Sequence, residues 1–341
     1  MERKKMKWQL PVLILLIIGT VWILHRKNNL PYHKSTGTIF GTIYHATYQY
    51  DKELGDEIIA ELKKVDASLS QYNDTSIISR INQNIDVTPD SLFLETFRKA
   101  EEVSRKTNGA FDITIAPLTN AWGFGFKTGI PVDSQTIDSL RQIVGYQKVA
   151  YSNGRIIKQD ERIMLNASAI AKGYGSDIVG RLFDRKGIKN YMIEIGGEIV
   201  VKGKNPNKED WRIAINKPIE DATGHNQEIQ AILKLTDVGM ATSGNYRNFY
   251  YKDGKRYAHS IDPRTGYPVE HSLLSATVVA SDCITADAYS TAFMITGFEE
   301  AKQLVETTPE LEAYLIYLDK DSVTHTYYSP GMEKYIVEEK Q

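Results

Sequence analysis

Asp287 and Thr291 stand four residues apart in a helix-like run that begins near Asp282. That spacing puts a carboxylate and a hydroxyl on one helical face. Both are hard oxygen donors, the kind Mg2+ uses when it also holds substrate phosphates. Taken alone, the pair is better explained by an Asp balancing a helix dipole and a Thr bonded to its own backbone. Lys172 follows the small residues Ala167, Ser168 and Ala169 at a helix entry, where N–H groups and an ammonium could receive a phosphate. A solvated helix lysine is an equal reading. His259 precedes a run of turn dipeptides, Asp262-Pro263, Thr265-Gly266 and Tyr267-Pro268. An unperturbed imidazole titrates near neutrality and could act as a base, although a lone His at a strand–turn junction more often serves structure.

The elements that must position these groups follow from periodicity. Thr38 to Tyr50 is rich in β-formers and reads as one strand interrupted at Gly41-Thr42. Leu54, Ile58, Leu62, Val65 and Leu69 mark an amphipathic helix from Asp51 to Ser70. A short helical piece follows at Ile77 to Ile81, and Asp90 or Ser91 caps another helix. Helices are also predicted from Ser134 to Val144, from Asn166 to about Lys186 and over Glu299 to Glu306. Strands are predicted at 148–151, 155–158, 191–195, 198–202, 211–215, 229–235, 274–280, 311–318 and 323–328. Thr242-Ser243-Gly244 reads as a corner. Strands in the second half cluster more than they alternate with helices, which argues for an α+β fold over a doubly wound one. No linker or fixed-period repeat divides the body, so residues 38–338 read as one large domain.

Composition narrows the function classes. A formal net charge of −2 implies no broad basic surface for nucleic acid. Cys283 is the only cysteine, which excludes a disulfide framework and a cysteine-based metal centre. Residues 1–7 carry Arg3, Lys4, Lys5 and Lys7, and residues 8–24 are seventeen in a row without a charge. No small-x-small cleavage site follows, so the run reads as a transmembrane signal anchor with the basic segment in the cytoplasm. Residues 25–37 then form a tether, and the body lies on the periplasmic side of an inner membrane.

Six ordered motifs decide the broader reading. They are Gly-Ala-Phe-Asp-Ile-Thr through Trp-Gly-Phe-Gly at 109–125, Ala-Ile-Ala-Lys-Gly-Tyr at 169–174 and Gly-Gly-Glu at 196–198. Ala-Thr-Ser-Gly-Asn-Tyr-Arg at 241–247, His-Ser-Ile-Asp-Pro-Arg-Thr-Gly-Tyr-Pro-Val at 259–269 and Ala-Asp-Ala-Tyr-Ser-Thr-Ala at 286–292 complete the set. Together they closely resemble the FAD:protein FMN transferases, the ApbE family, over nearly the whole body. The resemblance implies an ApbE-like fold of mixed or antiparallel sheets packed with helices. It implies Mg2+-dependent cleavage of FAD, with FMN passed to a Thr or Ser of a partner protein and AMP released. Typical acceptors are subunits of Nqr- or Rnf-type membrane redox pumps, on the side where the anchor would hold this body.

Carried over position by position, the resemblance assigns the metal to Asp287, Thr291 and the Ala169 carbonyl. It assigns flavin-nucleotide contacts to Phe40, Tyr72, Ala110, Phe111, Asp112, Asn166, Lys172, His259 and Ile261, with Ser243 lining the same pocket. Lys172 would add positive charge at a phosphate, and His259 is the candidate base for the acceptor hydroxyl. Many members have Asp where this chain has Asn166, and Asn where it has Glu194. The same scaffold would also suit an FAD pyrophosphatase, in which water replaces the acceptor, or a non-catalytic flavin-binding module.

Overall fold

The computed structural model describes residues 11–20, 30–126, 132–219, 228–245, 249–252 and 255–339. The expected basic segment 1–7 lies outside the described residues, as do both ends of the expected span and tether residues 25–29. Residues 11–20 form helix α1, whose apolar side chains from Val12 to Ile18 are exposed. Among the described residues no helix is long and apolar enough to cross a membrane.

The body opens with a hairpin, β1 (Tyr32–Ile39) and β2 (Thr42–Gln49), paired over eight positions. The two-residue turn between them has positive φ at both Phe40 (52°) and Gly41 (73°). That backbone matches the right-handed twist of the flanking strands, and it is what the expected single strand lacked. β1 also begins inside the segment read as tether. Helices α2 (Gly55–Leu69), α3 (Ile77–Asn82) and α4 (Ser91–Lys106) follow close to expectation, with Asp90 capping α4 through the Phe93 N–H. Next come the short α5 (Ala116–Ala121), then α6 (Ser134–Arg141) and a small hairpin, β3 (Val149–Ser152) and β4 (Arg155–Lys158).

Helix α7 (Ala171–Arg185) leads into β5 (Tyr191–Ile195), β6 (Glu198–Lys202), β7 (Trp211–Asn216), β8 (Ile229–Leu235) and β9 (Val238–Gly244). The corner read at Thr242-Ser243-Gly244 is therefore the end of a strand. The pair β10 (Phe249–Lys252) and β11 (Lys255–Ala258) precedes β12 (Leu273–Ala280). The chain ends through α8 (Cys283–Thr296), α9 (Phe298–Glu306), β13 (Glu312–Leu318), β14 (Thr324–Tyr328) and β15 (Ile336–Glu339).

Eight strands form the main sheet in the order β1-β2-β5-β6-β9-β12-β13-β14, with every pairing antiparallel. A second sheet, β15-β8-β7, packs on one face. The centre of the main sheet is covered on both faces, and the sequence obeys the pleat. In β13, Ala313 and Leu315 join the helix-side core, whereas Tyr314 and Ile316 join the core under the second sheet. Helix α8 lies on β9 and β12 and buries almost every residue, so it shows no polar face. A charged side chain on such a helix must find partners inside the protein.

Close approach explains two glycines. A Cβ on Gly239 would stand 2.3 Å from the Cys283 nitrogen, and one on Gly173 would stand 2.4 Å from the Cys283 carbonyl oxygen. Strand β9 and helix α7 thus reach the first turn of α8 only because neither carries a side chain there. Gly239→Ala is expected to lower unfolding stability by about 3 kcal/mol through overpacking against backbone that cannot rotate away. Urea denaturation followed by circular dichroism checks this, and an unchanged midpoint would refute the packing account.

Candidate active site

The entry to α7 is built by its own turn chemistry. The Asn166 side-chain oxygen accepts the Ser168 N–H at 2.8 Å, and the Ala167 carbonyl takes the N–H groups of Ile170 and Ala171. The Gly173 N–H would ordinarily bond the Ala169 carbonyl four residues back. It donates instead to Asp287 Oδ2 at 2.9 Å. Among the described residues the Ala169 carbonyl oxygen therefore lacks its helical partner, and Asp287 keeps Oδ1 for something else.

Around Asp287 the charges do not balance. Lys172 Nζ lies 2.6 Å from Glu198 Oε1, and Glu198 Oε2 is buried with no hydrogen-bond partner among the described residues. Burial pushes the Glu198 carboxyl up to about 8; Lys172 opposes the shift and Asp287 adds to it. Burial likewise raises Asp287, against the pull of Lys172 and the Gly173 N–H. Burial disfavours the Lys172 ammonium, but the charges of Glu198 and Asp287 outweigh it and hold the lysine protonated. Two carboxylates thus share one ammonium, which leaves a negative excess when both ionise. A further cation would cancel it.

One helical turn beyond Asp287, the Thr291 hydroxyl lies 3.4 Å from Ser243 Oγ on β9. Ser243 Oγ is also 2.9 Å from Ser290 Oγ, which donates to the Asp287 carbonyl at 2.9 Å. Carboxylate, hydroxyl and freed carbonyl are all hard oxygen ligands, and together with the orphaned Glu198 oxygen they suit Mg2+. Among the described residues no three His, Cys, Asp or Glu side chains are grouped to hold a metal ion, so a cation here would have to draw on the Thr291 hydroxyl and the Ala169 carbonyl as well.

Next to this cluster opens a cavity of about 540 Å3, lined by Phe40, Leu69, Tyr72, Ser168 and Lys172 among others. Gln71 Nε2 donates to Ser168 Oγ across its floor. Tyr72 is 69% exposed, with its ring set edge-on to Phe126 at 6.2 Å. The structure therefore brings Phe40, Tyr72 and Lys172 to one cavity wall.

The remaining expected contacts, Ala110, Phe111, Asp112, Asn166, His259 and Ile261, are not among the residues lining it and sit on other loops. Ala110 and Phe111 are buried, and the Phe111 ring belongs to the main core. Asp112 spends one oxygen on the Thr114 N–H and hydroxyl and the other on the Tyr146 N–H, so its side chain holds its own loop together. Burial still raises its carboxyl, against those donors. The Asn166 N–H donates to the Ile113 carbonyl, which ties this loop to the α7 entry. His259 is half-buried, 6.5 Å from the Phe124 ring, and Ile261 is buried beneath the turn that follows. Trp122 Nε1 bonds the Gly266 carbonyl and Ser260 Oγ donates to Asn245 at the end of β9, which locks this loop to both neighbours.

The model of the ApbE family matches residues 40–315. This chain belongs to the ApbE family. It is 38% identical to the FAD:protein FMN transferase of Haemophilus influenzae, over 82% of this chain and 85% of that protein. The Escherichia coli K12 FAD:protein FMN transferase is 34% identical, with 89% of each chain covered. Among solved structures, the flavin transferase ApbE from Vibrio cholerae superposes with a TM-score of 0.80 at 33% identity, covering 89% of this chain and all of that one. The apo flavinyl transferase ApbE of Pseudomonas stutzeri gives 0.79 at 29% identity, covering 89% of this chain and 96% of that one.

Glu198, Ser290 and Asp177 escape a residue-by-residue reading of the sequence. Glu198 had one signal, its place directly after the Gly196-Gly197 turn. Asp177 on α7 accepts the N–H groups of Cys283 and Ile284, and so caps α8 from a neighbouring helix.

Proposed function

We propose that this chain is a FAD:protein FMN transferase, and the observation that carries the proposal is the oxygen-donor cluster at Asp287 beside a flavin-sized cavity. FAD binds with its pyrophosphate toward the α7 entry and Lys172. Asp287, Thr291 and the Ala169 carbonyl would hold Mg2+, which would supply neutralising charge at the pyrophosphate. Phe40 and Tyr72 flank the flavin. The loops carrying Ala110, Phe111, Asp112, Asn166 and Ile261 shape the rest of the pocket.

The reaction is then mostly positioning. The acceptor Thr or Ser hydroxyl oxygen forms a bond to the FMN phosphorus, and the bond from that phosphorus to the AMP oxygen breaks. His259 takes the hydroxyl proton, and Lys172 faces the negative charge that grows on the leaving phosphate. The nucleophile comes from the acceptor, so this chain needs no activated Ser or Cys of its own. His259→Ala is expected to slow transfer about 100-fold while FAD binding, followed by flavin fluorescence, is retained. Transfer at the wild-type rate would remove His259 from the proton path.

One assay tests the activity as a whole: protein, FAD, Mg2+ and an acceptor peptide with a Ser-Gly-Ala-Thr-like site. An acceptor that becomes covalently fluorescent, with one AMP released per label, supports the proposal. FMN and AMP without a labelled acceptor would make the protein a pyrophosphatase. FAD held tightly without turnover would make it a binding module.

The same proposal extends to place. Residues 8–24 anchor the chain in an inner membrane, and the catalytic body faces the periplasm, where redox-pump subunits of the Nqr or Rnf type would serve as acceptors. The charge-free run and its larger basic flank on the N-terminal side support this. Membrane fractionation with protease accessibility tests it.

A further inference from the structure

Resting on the metal reading above, we infer that Ser290 and Ser243 form a one-way hydroxyl relay that turns the lone pairs of Thr291 toward the cation. Three hydroxyls share three hydrogens here, and the bond from Ser290 to a backbone carbonyl sets their direction. Ser290 Oγ lies 2.9 Å from the Asp287 carbonyl, and a carbonyl only accepts, so the Ser290 hydrogen is spent there. Ser290 is fully buried and has no solvent to turn to. In its 2.9 Å contact with Ser243, the donor must therefore be Ser243. Ser243 also has a single hydrogen, so its longer 3.4 Å contact with Thr291 leaves Thr291 as the donor in this relay. Thr291 points its hydrogen back at β9 and keeps its lone pairs free. With the relay reversed, a cation would meet a hydrogen in place of an oxygen lone pair. Ser243, expected from the sequence to line the flavin pocket, acts in this relay as a positioning residue.

The relay predicts coupled losses of metal affinity. Outer partners that orient a metal ligand are typically worth 10- to 100-fold in binding. Free Mn2+ is counted by electron paramagnetic resonance as it is titrated into the full chain, alone and with FMN plus AMP. Ser290→Ala and Ser243→Ala should each weaken binding about tenfold. The double variant should bind no more weakly than Ser243→Ala alone, because Ser290 acts only through Ser243. Circular dichroism melts establish that each variant is folded, and Ser243→Ala alone decides the matter if Ser290→Ala does not fold. Wild-type affinity in Ser243→Ala, or additive losses in the double variant, overturns the relay. Asp287→Ala separates the two levels. If it binds Mn2+ like the wild type, or if the wild type binds none under either condition, the metal reading fails and takes the relay with it. If it loses Mn2+ while the serine variants do not, the relay alone fails.

Discussion

Asp287→Asn is expected to cut FMN transfer by about 1,000-fold or more, with the fold intact. Asn keeps the shape of the side chain and an oxygen for the Gly173 N–H, which lies 2.9 Å away in the wild type. What it removes is the charge. Lys172 still pairs with Glu198, so no ion is stranded. Asp287→Ala should be equally inactive and also less stable by about 1–3 kcal/mol, because the Gly173 N–H loses its acceptor in a buried place. Acceptor labelling gives the rate and urea denaturation gives the stability. Raising Mg2+ should not restore either variant. Near-wild-type labelling by the Asn variant would show that Asp287 is a structural anchor for α7 and nothing more.

The second large effect falls on stability first. Lys172→Met leaves Glu198 and Asp287 both buried without the ammonium that offsets their charges. Breaking a buried ion pair by removing one member costs about 3–5 kcal/mol. The lower figure applies here, since the Lys172 side chain is still 30% exposed. Adding Glu198→Met should return much of that stability, because an apolar pair of similar size replaces the ions. Transfer activity should stay lost in both variants. If the double variant instead regains activity, Lys172 serves only to neutralise Glu198 and has no task at the phosphate.

How much of this could be read beforehand depended on whether a residue's role was local. Asp90 and Asp282 announce helix starts because a cap acts within three residues, and both caps are in place. Asp287 and Thr291 were legible as a pair for the same reason. Strand β9 was not. Its Gly239-Met240-Ala241-Thr242-Ser243-Gly244 run has few β-formers, because a strand pressed beneath α8 needs small side chains more than branched ones. Strand β1 was hidden by its polarity, which reflects its place at a half-exposed sheet edge. Glu198 stood in a motif, but its pairing with Lys172 was not legible, since that meeting depends on β6 running under α7. Asp112 shows the opposite case: its position in a motif suggested a ligand contact, whereas its oxygens hold the loop that the motif describes.

The first hairpin also sets limits on how the protein can be cut and how far it can reach. Phe40 stands at the cavity because β1 and β2 pin its turn from both sides. A truncation that starts at Thr38 would delete most of β1 and with it a structural wall, so a useful truncation begins ahead of Tyr32. In the anchored arrangement proposed above, only residues 25–31 lie between the span and β1. Stretched to the limit, such a leash covers about 25 Å. The enzyme would then work a thin layer just above the lipid, and only acceptors whose modified Thr or Ser lies low over the bilayer would come within its range.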